Sequence, residues 1–169
     1  STEDPEFFVQ LLDSTRAALL ERARSSPTEF FAPLNVRPGH RVLDLGCGTG
    51  DFLRLLAPLV APGIAVGIDL SETMIAEAQR RAPGGSSNVS FRVGNALNLP
   101  FESASIDRLT ATQVLLHIPD YAAAIAEMWR VLAPEGMVAF GEFDWGTIAV
   151  ECTNRELGRR FTRLACDEL

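Results

Sequence analysis

The stretch that decides the fold runs from Val42 to Gly50 and reads VLDLGCGTG. It opens as a short apolar run of the kind found in buried strands, and a glycine-rich turn follows directly. Glycine adopts positive backbone torsions and lets another group approach the main chain closely. A helix is predicted to start near Asp51, so the turn joins a strand to a helix whose free amides point into the space beyond.

Five short runs rich in branched aliphatic residues are predicted to be strands. They are RVLDL (41–45), IAVGID (64–69), VSFRVG (89–94), IDRLTAT (106–112) and GMVAFGEF (136–143). Apolar residues at helical spacing predict helices between them, marked by Phe52, Leu55, Leu56 and Leu59, by Met74, Ile75 and Ala78, and by Ala122, Ile125, Ala126 and Trp129. This alternation predicts an α/β fold, a Rossmann-like, doubly wound and mostly parallel sheet with helices on both faces.

Two helix starts are predicted from local signals. A leading amphipathic helix runs from Pro5 to about Arg24, with Asp4 as its cap and proline at its first position. Ser71 is expected to cap the helix that follows the second strand.

Composition narrows the class of protein. The apolar fraction of 47% and the charged fraction of 22% are typical of globular domains. Fifteen basic against 22 acidic residues give a net charge of -7, which argues against a nucleic-acid partner held by phosphate contacts. No long apolar run or signal peptide is evident, so we expect a soluble, cytoplasmic protein without membrane contact.

The three cysteines, Cys47, Cys152 and Cys166, are an odd number without C-x-x-C spacing. Neither a disulfide framework nor a zinc site is supported, so no metal is predicted. A reducing compartment is the better expectation.

Three classes of cofactor compete for the glycine turn. A P-loop would need Lys followed by Ser or Thr after the glycines, and neither is present. A dinucleotide fingerprint would place its third glycine at Asp51, where a carboxylate would repel a pyrophosphate. Asp44 adds a second acid before the turn. S-adenosylmethionine carries an ammonium and a sulfonium but only one carboxylate, so local charge favours it.

Two further positions suit a nucleoside. Asp69 ends the second strand, where its carboxylate can accept hydrogen bonds from both hydroxyls of a ribose, although a helix cap is the alternative and NAD would be bound equally. Asn95 and Ala96 follow the third strand and could meet the adenine edge, unless Asn95 only forms a turn.

Taken in order, VLDLGCGTG (42–50), VGIDLSETM (66–74), VGNALNLPF (93–101) and RVLAPEGMVAF (130–140) resemble the successive motifs of class I S-adenosylmethionine-dependent methyltransferases. The similarity extends from Arg41 to Phe143. It is nearest to the ubiquinone and menaquinone biosynthesis C-methyltransferases and related small-molecule methyltransferases. The resemblance implies methyl transfer from S-adenosylmethionine to a small-molecule acceptor, releasing S-adenosylhomocysteine.

The resemblance also assigns residues to the cofactor. The positions implied are Asp44, Gly46, Cys47, Gly48, Thr49, Asp69, Leu70, Met74, Asn95, Ala96 and Thr112. Asp44 is expected to reach the methionine amino group, and Thr112 to lie near the methionine end. Met74 is expected on the adenine face, with a place in the core as the alternative. Cys47 is more typical of a small-residue slot in the turn.

The chain departs from the family pattern at two places. Asn95 stands where many members have Asp. The family sheet has seven strands ending in an antiparallel hairpin, whereas this chain ends with a helical pattern from Asn154 to Leu169. We therefore expect a single methyltransferase domain, 1–169, with a helical cap at 1–35, a cofactor-binding core at 36–150 and a C-terminal helix at 151–169.

The absent C-terminal strands have a consequence for the fifth strand, 136–143, which would present an apolar edge. Such an edge is a liability unless something covers it. We expect either missing downstream sequence or a homo-oligomer that pairs through this edge.

Methyl transfer is an in-line displacement that depends mainly on positioning, so a catalytic residue is optional. His117 is the histidine near the expected crevice and is the candidate base, although capping or packing is the alternative.

Aromatic residues indicate an apolar or cyclic acceptor, although core packing explains them equally. The acceptor candidates are Phe7, Phe8, Leu11, Glu142, Asp144 and Trp145. Two other hypotheses stay open: an NAD-dependent oxidoreductase and a non-catalytic cofactor-binding scaffold.

Overall fold

The computed structural model describes residues 5–82 and 88–141. Its helices are α1 (Pro5–Ser25), α2 (Pro27–Phe30), α3 (Asp51–Val60), α4 (Glu72–Arg81) and α5 (Tyr121–Val131), with single-turn 3-10 helices at Ala32–Leu34 and Leu115–His117. Its strands are β1 (Val42–Leu45), β2 (Ala65–Asp69), β3 (Val89–Val93), β4 (Ile106–Thr112) and β5 (Leu132–Gly141). The five predicted strands and the first four of the five predicted helices are confirmed.

The five strands form one parallel sheet in the order β3-β2-β1-β4-β5. The chain winds outward from β1 through β2 to β3, returns to β4 on the other side of β1, and then winds outward to β5. Right-handed crossovers in the two directions place α3 and α4 on one face and α5 on the other. The predicted doubly wound architecture is confirmed, and its switch point lies between β1 and β4, where such sheets bind ligands.

Each face of the sheet has its own buried apolar cluster. Alternate residues of β1 point to opposite faces, so Leu43 and Leu45 pack with α5 while Val42 packs with α3. All four residues of β1 are buried. Asp44 is therefore an acid inside a strand that is otherwise apolar.

The helix α5 buries a different face from the one its sequence suggests. The residues it buries are Ala124, Met128 and Val131, whereas the predicted repeat was Ala122, Ile125, Ala126 and Trp129. Trp129 is 76% exposed. Because nearly every residue of this helix is apolar, helical spacing occurs on more than one face and does not choose between them.

The strand β5 begins at Leu132, ahead of the predicted start at position 136. Leu132 pairs with Ile106, and the register shifts before pairing resumes at Met137. Glu135 has a φ of 63° within this irregular stretch. The extra residues form a bulge. From the sequence pattern these residues were predicted to be a turn between the helix and the strand.

Within the described ranges, β5 pairs with β4 alone and so forms one edge of the sheet. Its Phe140 is 51% exposed. Residues 142–169, which include the predicted C-terminal helix at 151–169, lie outside the described residues. The pairing of this edge with downstream strands or with a second copy therefore stays a prediction.

The described residues of α1 make both polar and apolar contacts with the body of the molecule. Arg81 of α4 donates two hydrogen bonds to the Asp13 carboxylate, at 2.8 and 3.0 Å, while Leu20 and Ala23 are buried. The predicted cap Asp4 lies outside the described residues. No helix of the described part of the chain, α1 included, has the length and apolar character needed to cross a membrane.

Candidate active site

A cavity of about 600 Å³ opens at the carboxyl ends of β1, β2, β3 and β4. Sites for small ligands fall in this range of volumes. Eight of the predicted site residues line it: Gly46, Gly48, Asp69, Leu70, Met74, Asn95, Ala96 and His117. Four predicted residues, Asp44, Cys47, Thr49 and Thr112, are not among the lining residues.

The glycine turn forms one wall of the cavity, and part of its glycine requirement comes from the protein itself. Gly46 has a φ of 65°, and a side chain there would overlap the side chain of Val114. Gly50 has a φ of 75° and precedes α3, and a side chain there would overlap the ring of Phe91. The turn is thus fixed by its neighbours before any ligand binds.

Asp69 is held at the end of β2 by two backbone amides. Its carboxylate accepts hydrogen bonds from the Gly48 N–H and the Ser71 N–H, each at 2.9 Å. Ser71 is the residue that caps α4, because its hydroxyl accepts from the Met74 N–H at 3.3 Å, as predicted. A carboxylate offers about four lone-pair positions, so about two on Asp69 stay available for hydroxyl donors.

Asp44 is only 6% exposed, and its carboxylate accepts a hydrogen bond from the Thr110 hydroxyl at 2.7 Å. Burial raises the pKa of Asp44 to about 6, although the Thr110 hydrogen bond and the charge of Arg16 partly oppose the shift. The folded state therefore binds this proton more tightly than the unfolded chain. Ionisation of Asp44 therefore lowers the free energy of unfolding as pH rises from about 4 to 6, and the full loss is reached above that range.

Replacing Asp44 with asparagine is expected to stabilise the ligand-free protein by about 2 kcal/mol at pH 8 and by little at pH 4. Asparagine keeps an oxygen that can accept from Thr110 but carries no charge to desolvate. Urea denaturation at both pH values measures the difference, with Asp107→Asn as a control carboxylate at the opposite end of the sheet. Equal effects of Asp44→Asn at pH 4 and pH 8 would contradict the interpretation.

The expectation that Asp51 repels a pyrophosphate assumes a free carboxylate, whereas the structure shows this carboxylate in ion pairs. The Asp51 carboxylate lies 2.7 Å from Arg54, 3.3 Å from Arg81 and 3.6 Å from Arg24. The Thr49 hydroxyl also donates to it at 2.7 Å. Three arginines offset the charge of this acid, which does not line the cavity, so its charge is weak evidence about the class of cofactor.

The other predicted residues that do not line the cavity have local roles. Cys47 is buried beside Gly67, and burial raises the pKa of its thiol well above the ordinary value, so it stays protonated. The Thr112 carbonyl accepts a hydrogen bond from Arg16. Among the described residues, no cluster of three or more histidine, cysteine or acidic side chains could hold a metal ion.

Two predicted residues at the rim keep both of their interpretations. The Asn95 side-chain oxygen accepts from the Leu97 N–H at 2.9 Å, so the residue forms a turn and also lines the cavity. His117 is exposed at the end of the 3-10 helix Leu115–His117 and also lines the cavity. Neither interpretation excludes the other.

Sequence patterns did not identify Arg16 and Gln113. Arg16 of α1 donates to the Gln113 side-chain oxygen at 3.2 Å, and Gln113 has a φ of 57°. The two residues are 97 positions apart, so only the folded chain brings them together. The further lining residues that were not predicted are Leu45, Ile68, Ser71, Thr73, Gly94, Val114 and Ile118.

Several acceptor candidates are not described. The side chains of Phe7, Phe8 and Leu11 lie outside the described part of α1. Glu142, Asp144 and Trp145 also lie outside the described residues, as do Cys152 and Cys166. Their proposed contact with an acceptor stays a prediction.

Comparison with known families gives a match that spans most of the sheet. The methyltransferase domain family matches residues 43–140. That range contains the glycine turn and every cavity residue described above except Arg16. It favours the methyltransferase hypothesis over the oxidoreductase and scaffold hypotheses.

Individual relatives agree with the family match. A demethylmenaquinone methyltransferase from Staphylococcus aureus is 42% identical over 118 residues, which are 69% of this chain and 48% of that protein. An uncharacterised 37.1 kDa protein of a Streptomyces fradiae transposon is 39% identical over 153 residues, which are 90% of this chain and 44% of that protein. This chain thus spans less than half the length of these two relatives.

The solved structure of an S-adenosylmethionine-dependent methyltransferase from Aquifex aeolicus resembles this chain in fold. It superposes with a TM-score of 0.74 over 98% of this chain and 87% of that one, at 21% identity. The parallel sheet with its flanking helices is therefore a methyltransferase fold.

Proposed function

The chain belongs to the methyltransferase domain family, and from that membership we propose that the protein transfers a methyl group from S-adenosylmethionine to a small-molecule acceptor. The observation that carries the proposal is the position of Asp69. Its carboxylate faces the cavity at the carboxyl end of β2 and keeps room for two hydroxyl donors beyond its two backbone contacts.

The charges around the cavity fit S-adenosylmethionine. Asp69 suits the ribose at one end, and Arg16 lines another part of the cavity. Asp44 does not line the cavity, but it lies close enough for its charge and that of Arg16 to influence each other. When bound, this cofactor supplies a methyl group on a sulfonium that a nucleophile takes by in-line displacement. The residues of the chain have to bind the methyl donor and the acceptor, orient them and exclude water.

The proposed roles follow from position in the cavity. Gly46 and Gly48 would let the methionine moiety lie against the main chain, since neither presents a side chain. Asn95 and Ala96 would flank the adenine, and Met74 would pack on its face. The Asn95 amide nitrogen is suited to donate to adenine, because its oxygen is used by Leu97.

Binding is tested first, by calorimetry with S-adenosylhomocysteine. We expect a single site and no binding of NADH. Transfer of a labelled methyl group is tested next with a hydroquinone acceptor, because one relative is a demethylmenaquinone methyltransferase and the cavity wall includes Val114 and Ile118. Absence of S-adenosylhomocysteine binding by the folded protein would overturn the proposal.

His117 is proposed to accept the proton of the acceptor at a ring nitrogen as the new bond to the methyl carbon forms. Because His117 is exposed, water can partly replace it, and His117→Gln is expected to lower kcat by about tenfold. Steady-state kinetics with the labelled cofactor measure this change, with His40→Gln as the control histidine outside the cavity. An unchanged kcat, or a matching loss of S-adenosylhomocysteine affinity, would contradict a role as base.

We also propose a cytoplasmic location and an apolar or cyclic acceptor. The location is supported by the cysteine pattern, which has no disulfide framework.

We also propose a homo-oligomer that pairs through the β5 edge. Light scattering of the purified protein tests it by measuring the molar mass, and a monomer at micromolar concentration would exclude it.

A further inference from the structure

The segment 95–101, which follows β3, connects the cavity to the helix α5. Its first two residues, Asn95 and Ala96, line the cavity. The segment belongs to no named helix or strand, and one of its hydrogen bonds closes a short turn, from the Asn98 N–H to the Asn95 carbonyl at 3.0 Å. Irregular segments of this kind depend on contacts with neighbouring elements for a fixed position.

Two charged side chains of α5 hold the far end of this segment. The Glu127 carboxylate accepts a hydrogen bond from the Leu99 N–H at 2.8 Å. The Arg130 guanidinium donates to the Leu99 carbonyl at 3.0 Å and to the Phe101 carbonyl at 2.9 Å. The two side chains also bind each other through two hydrogen bonds, at 2.6 and 2.8 Å. We call Glu127 and Arg130 the α5 clamp.

The α5 clamp differs from an ordinary ion pair on a helix. The pair formed by Glu77 and Arg80 on α4 has the same spacing and two hydrogen bonds, at 2.6 and 2.7 Å. In the described part of the chain, Arg80 makes no further hydrogen bond, and exposed pairs of this type contribute little. The α5 clamp instead gives its charge-assisted hydrogen bonds to the main chain of a segment about 30 positions away, and such bonds are the stronger ones.

The clamped residues are linked closely to the residues at the cavity. Leu99 is 2% exposed and Ala96 is 9% exposed, and both pack in the core cluster that contains Met128 of α5. The Asn95 side-chain oxygen accepts from the Leu97 N–H at 2.9 Å. The orientation of Asn95 therefore depends on the chain that leads to Leu99. Small displacements of a binding group are costly even when their origin lies away from the ligand.

We propose that Glu127 and Arg130 are positioning residues that hold Asn95 and Ala96 against the adenine of the cofactor. The inference rests on the proposed function. It gives α5 a part in cofactor affinity, although no residue of this helix is among those that line the cavity. The clamp acts through the segment 95–101 and makes no contact with the ligand.

The test measures S-adenosylhomocysteine binding by calorimetry on five proteins. They are the wild type, Arg130→Gln, Asn95→Ala, the double variant of these two, and Arg80→Gln. The last is the matched control, because it breaks a glutamate–arginine pair of the same spacing that does not hold the segment 95–101. Urea denaturation confirms that each protein is folded under the conditions of the measurement.

Asn95→Ala is expected to weaken binding by about tenfold, the loss of one hydrogen bond to adenine. Arg130→Gln should weaken binding by about fivefold in the wild type but by less than about twofold in the Asn95→Ala background, because a positioning residue acts through the residue it positions. Arg80→Gln should change binding by less than about twofold. If Arg130→Gln does not fold, Arg130→Lys replaces it. Lysine keeps the charge but lacks the planar fork, so about a threefold loss with the same dependence on Asn95 is expected.

Three results would overturn the inference while leaving the proposed function intact. In the first, the folded Arg130 variant binds as tightly as the wild type, so the segment keeps its position without the clamp. In the second, the Arg130 variant loses the same affinity with and without Asn95, which would make the clamp a general support of the fold. In the third, Asn95→Ala has no effect, so Asn95 makes no contact with adenine. If the folded wild type does not bind S-adenosylhomocysteine at all, the proposed function itself fails.

Discussion

Replacing Asp69 with alanine is expected to lower the affinity for S-adenosylhomocysteine by about 100-fold. The proposed ribose contacts are two hydrogen bonds to a charged acceptor, each worth about 1.5 kcal/mol. Alanine removes both. It also removes the brace between β2 and the glycine turn, because Asp69 accepts from the Gly48 N–H at 2.9 Å. Calorimetry of the folded variant measures the affinity.

The control for Asp69 is Asp107→Ala at the opposite end of the sheet. The Asp107 carboxylate also accepts a backbone hydrogen bond, from the Arg41 N–H at 2.7 Å, so its loss is chemically similar but distant from the cavity. We expect unchanged ligand affinity in this control. A ligand that lacks both ribose hydroxyls separates the two roles of Asp69: it should bind the wild type less tightly but should lose little further affinity in Asp69→Ala. Equal losses for both ligands in Asp69→Ala would mean that Asp69 only braces the turn.

Replacing Gly46 with alanine is expected to destabilise the fold by about 3 kcal/mol. The φ of 65° is strained for any residue with a side chain, which costs about 1 kcal/mol. The added methyl group would also overlap Val114, and such overpacking costs about 1–3 kcal/mol. Because Gly46 lines the cavity, ligand affinity should fall as well. Urea denaturation measures the first effect and calorimetry the second.

Gly39 offers a matched control for this substitution. It has a φ of 91°, but a side chain there would meet nothing within 4 Å. Gly39→Ala should therefore show the backbone cost alone, about 1 kcal/mol, and leave ligand binding unchanged. In the double variant Gly46→Ala, Val114→Ala, the overlap is relieved, and a favourable coupling of about 1 kcal/mol is expected. Equal costs at Gly39 and Gly46 would show that Val114 yields without strain.

The acidic residues show which site features can be predicted from sequence and which cannot. Asp69 could be predicted because it ends a recognisable strand, and in a parallel sheet the carboxyl ends of the strands meet at one edge. Asp51 misled, because its sequence position at a helix start is real but its charge is neutralised by Arg24, Arg54 and Arg81. The formal charge of a side chain can be read from the sequence, whereas the electrostatic potential around it depends on all neighbouring charges in the folded protein.

The sequence by itself determined the order of strands and helices, the glycine turn and the family, because these depend on periodicity and on residues adjacent in the chain. Only the tertiary structure decided which face of α5 is buried and that Asp44 is buried, since both depend on which surfaces pack together. It also brought Arg16 to Gln113 across 97 positions. Contacts between distant segments have no local signal, because they are fixed by the packing of whole elements and not by the residues beside them.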